Sequence, residues 1–175
     1  MKISHKRNQG LTLIEILVAV AILVIVLAFG MSINFNAYTR GIFQGEESKI
    51  VSALERVRSQ ALNNVCIGGA CTDGKKHGLC YESGIKKYIM FQGSTYASRD
   101  SAVDIAIDAN SNITISSTPP NILACTTGPG IVFNQLTAKL YPQLSPATAE
   151  VDISVDDGTG SPKHIKINNE GRINW

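Results

Sequence analysis

The run from Leu11 to Met31 constrains this chain more than any other feature. It holds 21 residues, nearly all apolar, and measures about 31 Å as an α-helix against a bilayer core of about 30 Å. A helix that is apolar all round is stable only inside a large core or a membrane. Lys2, Lys6 and Arg7 precede the run and no acidic residue does, which keeps the N-terminus cytoplasmic and sends the remainder outward. One side chain breaks the pattern. Glu15 lies four residues inside the run, where a carboxylate costs about 2.5–3.5 kcal/mol near the bilayer centre and less near its edge. Such a residue calls for a function and a partner.

Three roles compete for this segment: a secretory signal peptide, a plain anchor, and the leader and assembly helix of a prepilin. Ala28 and Gly30 form a small-x-small pair, the strongest feature of the signal-peptide reading. Neither a signal peptide nor a passive anchor gains from Glu15. The sequence Gly10-Leu11-Thr12-Leu13-Ile14-Glu15, followed by Ile16-Leu17-Val18-Ala19-Val20-Ala21-Ile22-Leu23, resembles the type IV prepilin and type II secretion pseudopilin signature. That resemblance implies cleavage between Gly10 and Leu11 by a dedicated prepilin peptidase, then N-methylation of Leu11. A glycine before the cut suits a narrow cleft because it has no Cβ. The new α-amine would be a cation at the end of an apolar helix, and a neighbouring subunit's Glu15 would neutralise it during filament entry. Two positions depart from the family habit: Leu11 stands where phenylalanine is usual, and Ser32 where many members have proline. The second implies a straighter helix.

The resemblance implies an α+β, pilin-like fold, with a long N-terminal helix packed on an antiparallel β-sheet head. Four segments follow: a leader over 1–10, a membrane and assembly helix over 11–31, an amphipathic helical stalk over 32–65, and a β-rich exported head over 66–175. Gly41 and Gly45 each weaken a helix by about 1 kcal/mol relative to alanine, which predicts a kink or short break at 41–45. Ile50, Leu54, Val57, Ala61 and Val65 recur at helical spacing, so this face should meet the sheet. Asn63-Asn64 marks the stop. Strands are expected at His77–Glu82 and Tyr88–Phe91, joined through Ser83-Gly84. Val103, Ile105 and Ile107 alternate with polar or small residues, as do Val151, Ile153 and Val155, the signature of half-buried strands. Ile113 and Ile115, then Ile131 to Phe133, continue the theme. The turn-rich stretch 157–162 should close a hairpin onto Ile165 and Ile167.

Cys66, Cys71, Cys80 and Cys125 all follow the apolar run, so they reach an oxidising compartment and are disulfide candidates. Three complete pairings are open. Cys66, Cys71, His77 and Cys80 imitate a zinc knuckle, but their spacing departs from the usual pairs, and no metal site is assigned. Some pseudopilins bind calcium in a C-terminal loop; Asp156-Asp157-Gly158 lacks the EF-hand spacing and reads as a solvated turn. The first ten residues carry three positive charges of a chain whose net charge is only +2, so the rest is close to neutral and bulk attraction to polyanions is not expected. Lys75 and Lys76, with Lys86 and Lys87 in the next turn, would form a small basic patch if the two turns adjoin; some minor pilins bind DNA, so the resemblance makes this patch a candidate for phosphate contacts. No nucleophile triad, phosphate loop or paired-carboxylate motif appears, so neither an enzyme nor a cofactor is expected.

Leu54-Glu55-Arg56-Val57-Arg58-Ser59-Gln60-Ala61 and the ending Ile165-Lys166-Ile167-Asn168-Asn169-Glu170-Gly171-Arg172-Ile173 resemble the GspH/FimT group of minor pseudopilins and minor pilins. The functional expectation is an inner-membrane subunit, built into a type IV pilus or type II secretion pseudopilus through contacts with other subunits and the assembly platform. The alternative is a minor pilin whose head captures DNA or a secreted protein. A secreted, disulfide-stapled domain released by ordinary signal peptidase is the third reading.

Overall fold

The computed structural model describes residues 12–68, 75–142, 144, 150–156, 158 and 161–175, with 31–39 described by backbone alone. The element order is α1 (Leu13–Leu62), β1 (His77–Glu82), β2 (Lys87–Gln92), β3 (Ile105–Asp108), β4 (Thr114–Thr118), β5 (Ile131–Phe133), β6 (Leu140–Tyr141), β7 (Glu150–Asp156), β8 (Lys163–Asn168) and β9 (Ile173–Asn174), with two 3-10 turns between β2 and β3. The chain divides into two compact units, one ending at Gly41 and the other spanning Ile42–Trp175.

In the second unit the 50-residue α1 ends by a mechanism written in its last residues. Asn64 adopts φ 53°, the left-handed conformation that asparagine tolerates better than most residues. The Val65 N–H donates to the Gln60 carbonyl at 2.9 Å and the Asn64 N–H to the Ala61 carbonyl at 3.1 Å. This is a Schellman cap, and it satisfies carbonyls the last turn would otherwise leave unpaired. The short break expected at 41–45 is not formed. Helical hydrogen bonding continues through both glycines, because a per-residue propensity cost of about 1 kcal/mol is small beside the burial of Phe43, Ile50, Leu54 and Val57 along the same stretch.

The β-structure forms two sheets where a single one was expected. The first has the order β3-β2-β1-β5-β6 and the second β4-β7-β8-β9, with every strand pairing in both antiparallel. Ile50, Leu54, Val57 and Ala61 are fully buried, in one cluster with Leu79, Tyr88, Phe133, Val151, Ile153, Ile165 and Ile167 from both sheets. Val65, the last member of the anticipated face, lies beyond the helix and is only half-buried. The first sheet also covers its outer face, where Cys80, Ile89, Phe91, Cys125 and Val132 form a second cluster. β1 and β2 are therefore buried on both sides, whereas β7 buries alternate residues. The β8–β9 hairpin turns at Gly171, φ 74°, where a Cβ would collide with the Ala138 carbonyl. The α+β, pilin-like organisation expected from the resemblance is present.

Candidate functional site

The apolar segment begins with a local device. Thr12 is the residue before the first helical residue Leu13, and Glu15 is the third residue inside. The Thr12 N–H donates to Glu15 Oε2 at 3.0 Å, the Thr12 hydroxyl donates to the same oxygen at 2.9 Å, and the Glu15 N–H approaches Thr12 Oγ1 at 3.4 Å. Thr-x-x-Glu is a capping box: it satisfies otherwise unpaired N–H groups and places a carboxylate at the positive end of the helix. The sequence signal for it is present in Thr12-Leu13-Ile14-Glu15, a pairing the sequence reading missed. Beyond the box, Leu13–Gly30 has a mean hydropathy of 3.0 and none of it is buried by the chain itself. Its length and composition suffice to cross a membrane. Gly10 and Leu11, the expected cleavage pair, lie outside the described residues.

A second carboxylate on α1 behaves differently. Glu46 is 1% exposed. Its Oε1 accepts from the Tyr88 hydroxyl at 2.8 Å and from the Asn110 N–H at 3.1 Å, and its Oε2 accepts from Lys49 Nζ at 2.9 Å. Lys49 also donates to the Asp108 carbonyl at 3.2 Å. One carboxylate thus ties the helix to β2 and to the chain leaving β3, and burial together with that carboxylate pushes the Tyr88 phenol far above its ordinary range. The neighbouring Glu47 accepts from Lys163 of β8 at 3.1 Å, so adjacent residues bind the helix to the two different sheets. Sequence reading missed both. The available signal was an acidic pair falling between Phe43 and Ile50 on a face that must be buried.

The cysteines separate into structural roles. Cys80 and Cys125 form a disulfide across 45 residues, joining β1 to the loop after β4, and both residues are buried. Cys66 is disulfide-bonded too, while Cys71 lies outside the described residues. The zinc-like array is not assembled as a ligand set: the Cys80 sulfur is bonded to Cys125, and His77 Nε2 donates to the Val65 carbonyl at 2.8 Å. Burial holds the His77 imidazole below its ordinary 6.5, against the opposing pull of that carbonyl. The Asp156 carboxylate accepts from the Gly158 N–H at 2.8 Å, as a turn-forming aspartate does; Asp157 lies outside the described residues.

The two lysine pairs do not adjoin. β1 and β2 pair from His77 opposite Gln92 to Glu82 opposite Lys87, so Lys75 and Lys76 precede one end of the ladder while Lys86 and Lys87 lie at the other. Five residues of strand separate these ends by about 17 Å. Lys76 instead covers the Tyr141 ring at 3.0 Å, and Lys87 pairs with Asp108 at 3.2 Å. The patch failed because a hairpin brings together the start of one strand and the end of the next, not two successive turns.

No curated protein and no solved structure matches this chain. Residues 5–31 match the family model described as the prokaryotic N-terminal methylation motif, and they contain the capping box and the apolar helix just described. The chain therefore carries the type IV prepilin-like N-terminal signature.

Proposed function

We propose that this protein is a prepilin-type subunit, processed between Gly10 and Leu11 and assembled into a type IV pilus or type II secretion pseudopilus, as a minor component of the GspH/FimT kind. Water adds across the Gly10–Leu11 bond, leaving a carboxylate on Gly10 and an amine on Leu11. A methyl group then passes from an activated methyl donor to that amine, which releases a proton. Leu11–Met31 holds the subunit in the inner membrane with its N-terminus cytoplasmic and its head exported. Filament entry places the Leu11 amine of one subunit against Glu15 of another, and the assembly platform drives that step.

The observation that carries this reading is the position of Glu15 inside the helical segment Leu13–Gly30, otherwise apolar and unburied by the chain itself, within a matched methylation motif. The two GspH/FimT-like patches fit it as well: 54–61 supplies the buried end of α1, and 165–173 forms the β8–β9 hairpin. The test is Glu15→Ala and Glu15→Gln in cells that assemble filaments. Both variants should be cleaved as the parent is, and both should disappear from the sheared filament fraction. Undiminished incorporation would remove the charge-pairing step.

A further inference from the structure

Where the two sheets meet, the chain builds a cleft of about 370 Å³, within the range of small-molecule sites. One wall is the end of β1 with its turn, the second is the edge strand β4, and the third is the loop 119–128. That loop is firmly held. The Tyr81 N–H donates to the Leu123 carbonyl at 2.7 Å and the Cys125 N–H to the Tyr81 carbonyl at 3.2 Å; the Cys80–Cys125 disulfide fixes the same point. Gly128 packs so tightly on the Asn121 carbonyl that any Cβ would collide with it.

The lining is uniform in its chemistry. Ser83, Ser116, Thr126 and Thr127 bring hydroxyls and Asn121 a carboxamide. A fifth lining hydroxyl, Ser117, donates to the Pro119 carbonyl at 3.2 Å; the other four and Asn121 are solvent-exposed and have no hydrogen-bond partner among the described residues. Ile115 and Leu123 add apolar surface, and among the described residues no Asp, Glu, Lys, Arg or His lines the cleft. Tyr81 lines it as well, with its ring packed in the core 5.3 Å from that of Tyr88.

From this convergence we propose that the cleft is a binding site for a neutral saccharide, free or as the end of a glycan. Hydroxyls donate and accept at once, which matches the alternating needs of sugar hydroxyls. A charged ligand would find no counter-ion here. A peptide adding to a sheet edge would draw its affinity from the β4 main chain, whereas the unspent capacity here lies in side chains from three separate segments. The assignment does not depend on the prepilin reading.

The test is binding of the full chain, held in a detergent without a sugar headgroup, to immobilised glycans and to free monosaccharides at millimolar concentration. Neutral glycans should bind, with amide shifts confined to Ser83, Ser116, Asn121, Thr126 and Thr127. Thr126→Val with Thr127→Val preserves volume and should weaken binding at least tenfold while leaving thermal unfolding unchanged. The shift map of the unsubstituted protein decides the matter if that variant misfolds. Capture only on immobilised glycans would place the ligand on a surface, and equal binding of free sugar would point to a soluble one; either result supports the site. Binding of charged glycans or peptides alone, shifts elsewhere, or no binding would overturn it.

Discussion

Two glutamates on the same helix, 31 positions apart, sit in apolar surroundings and are satisfied in opposite ways. Glu46 is buried and takes donors from Tyr88, Asn110 and Lys49, all within its own compact unit, Ile42–Trp175. Glu15 lies in a segment the chain does not bury, and among the described residues its carboxylate is bonded to Thr12 alone. A buried charge with several hydrogen bonds is a fixed part of a fold. A carboxylate bonded within a single turn can exchange that partner for another without unfolding anything. The contrast assigns Glu46 to the stability of the second unit and leaves Glu15 available for the inter-subunit pairing proposed above.

The sharpest way to break this comparison is to remove each carboxylate in turn. Glu46→Ala strands the Tyr88 hydroxyl and the Asn110 N–H, and should cost the head about 3 kcal/mol. Glu15→Ala should change head stability by less than about 0.5 kcal/mol. Thermal unfolding in detergent micelles reads both, and equal losses would erase the distinction. Tyr88→Phe keeps the ring and removes one bond to a charged group, so about 2 kcal/mol should be lost; a neutral result would mean that Glu46 is held by Lys49 and Asn110 alone. Asn64→Ala tests whether the C-terminal half of α1 needs its cap: a loss of about 1 kcal/mol is expected, with Asn64→Gly close to the parent. The smallest effect is one of pH. His77 titrates below its unfolded value of 6.5, so the unfolded chain takes up protons that the folded chain refuses. Its contribution is complete above pH 6.5 and is lost progressively as pH falls from there toward the depressed folded value. Denaturant titrations of the parent and His77→Gln should diverge in that window; parallel curves would show that His77 charges freely in the fold.

The strands of the second sheet were legible because that sheet buries one face. Val151, Ile153 and Val155 alternate with exposed or half-exposed partners, and period two is visible in the letters. β1 and β2 are covered on both faces, so His77–Glu82 and Lys87–Gln92 carry no such period and had to be found from their flanking turn. The stop at Asn63-Asn64 was legible because it depends on local backbone chemistry. Long-range pairings were not. Nothing in the order of Cys66, Cys71, Cys80 and Cys125 selects Cys80 with Cys125, and the same limit hid the partners of Glu46, which come from 42 and 64 residues away. At the N-terminus the motif is plain in the letters, and so is the Thr-x-x-Glu spacing of the capping box, which is purely local.

The central claim, that this N-terminus is a processed assembly device, is tested most directly by mass spectrometry of the protein isolated from cells that contain the peptidase. The account predicts a chain beginning at Leu11 with one methyl group on its α-amine. A chain beginning at Met31, cut after the Ala28-x-Gly30 pair, or one still beginning at Met1, would contradict it.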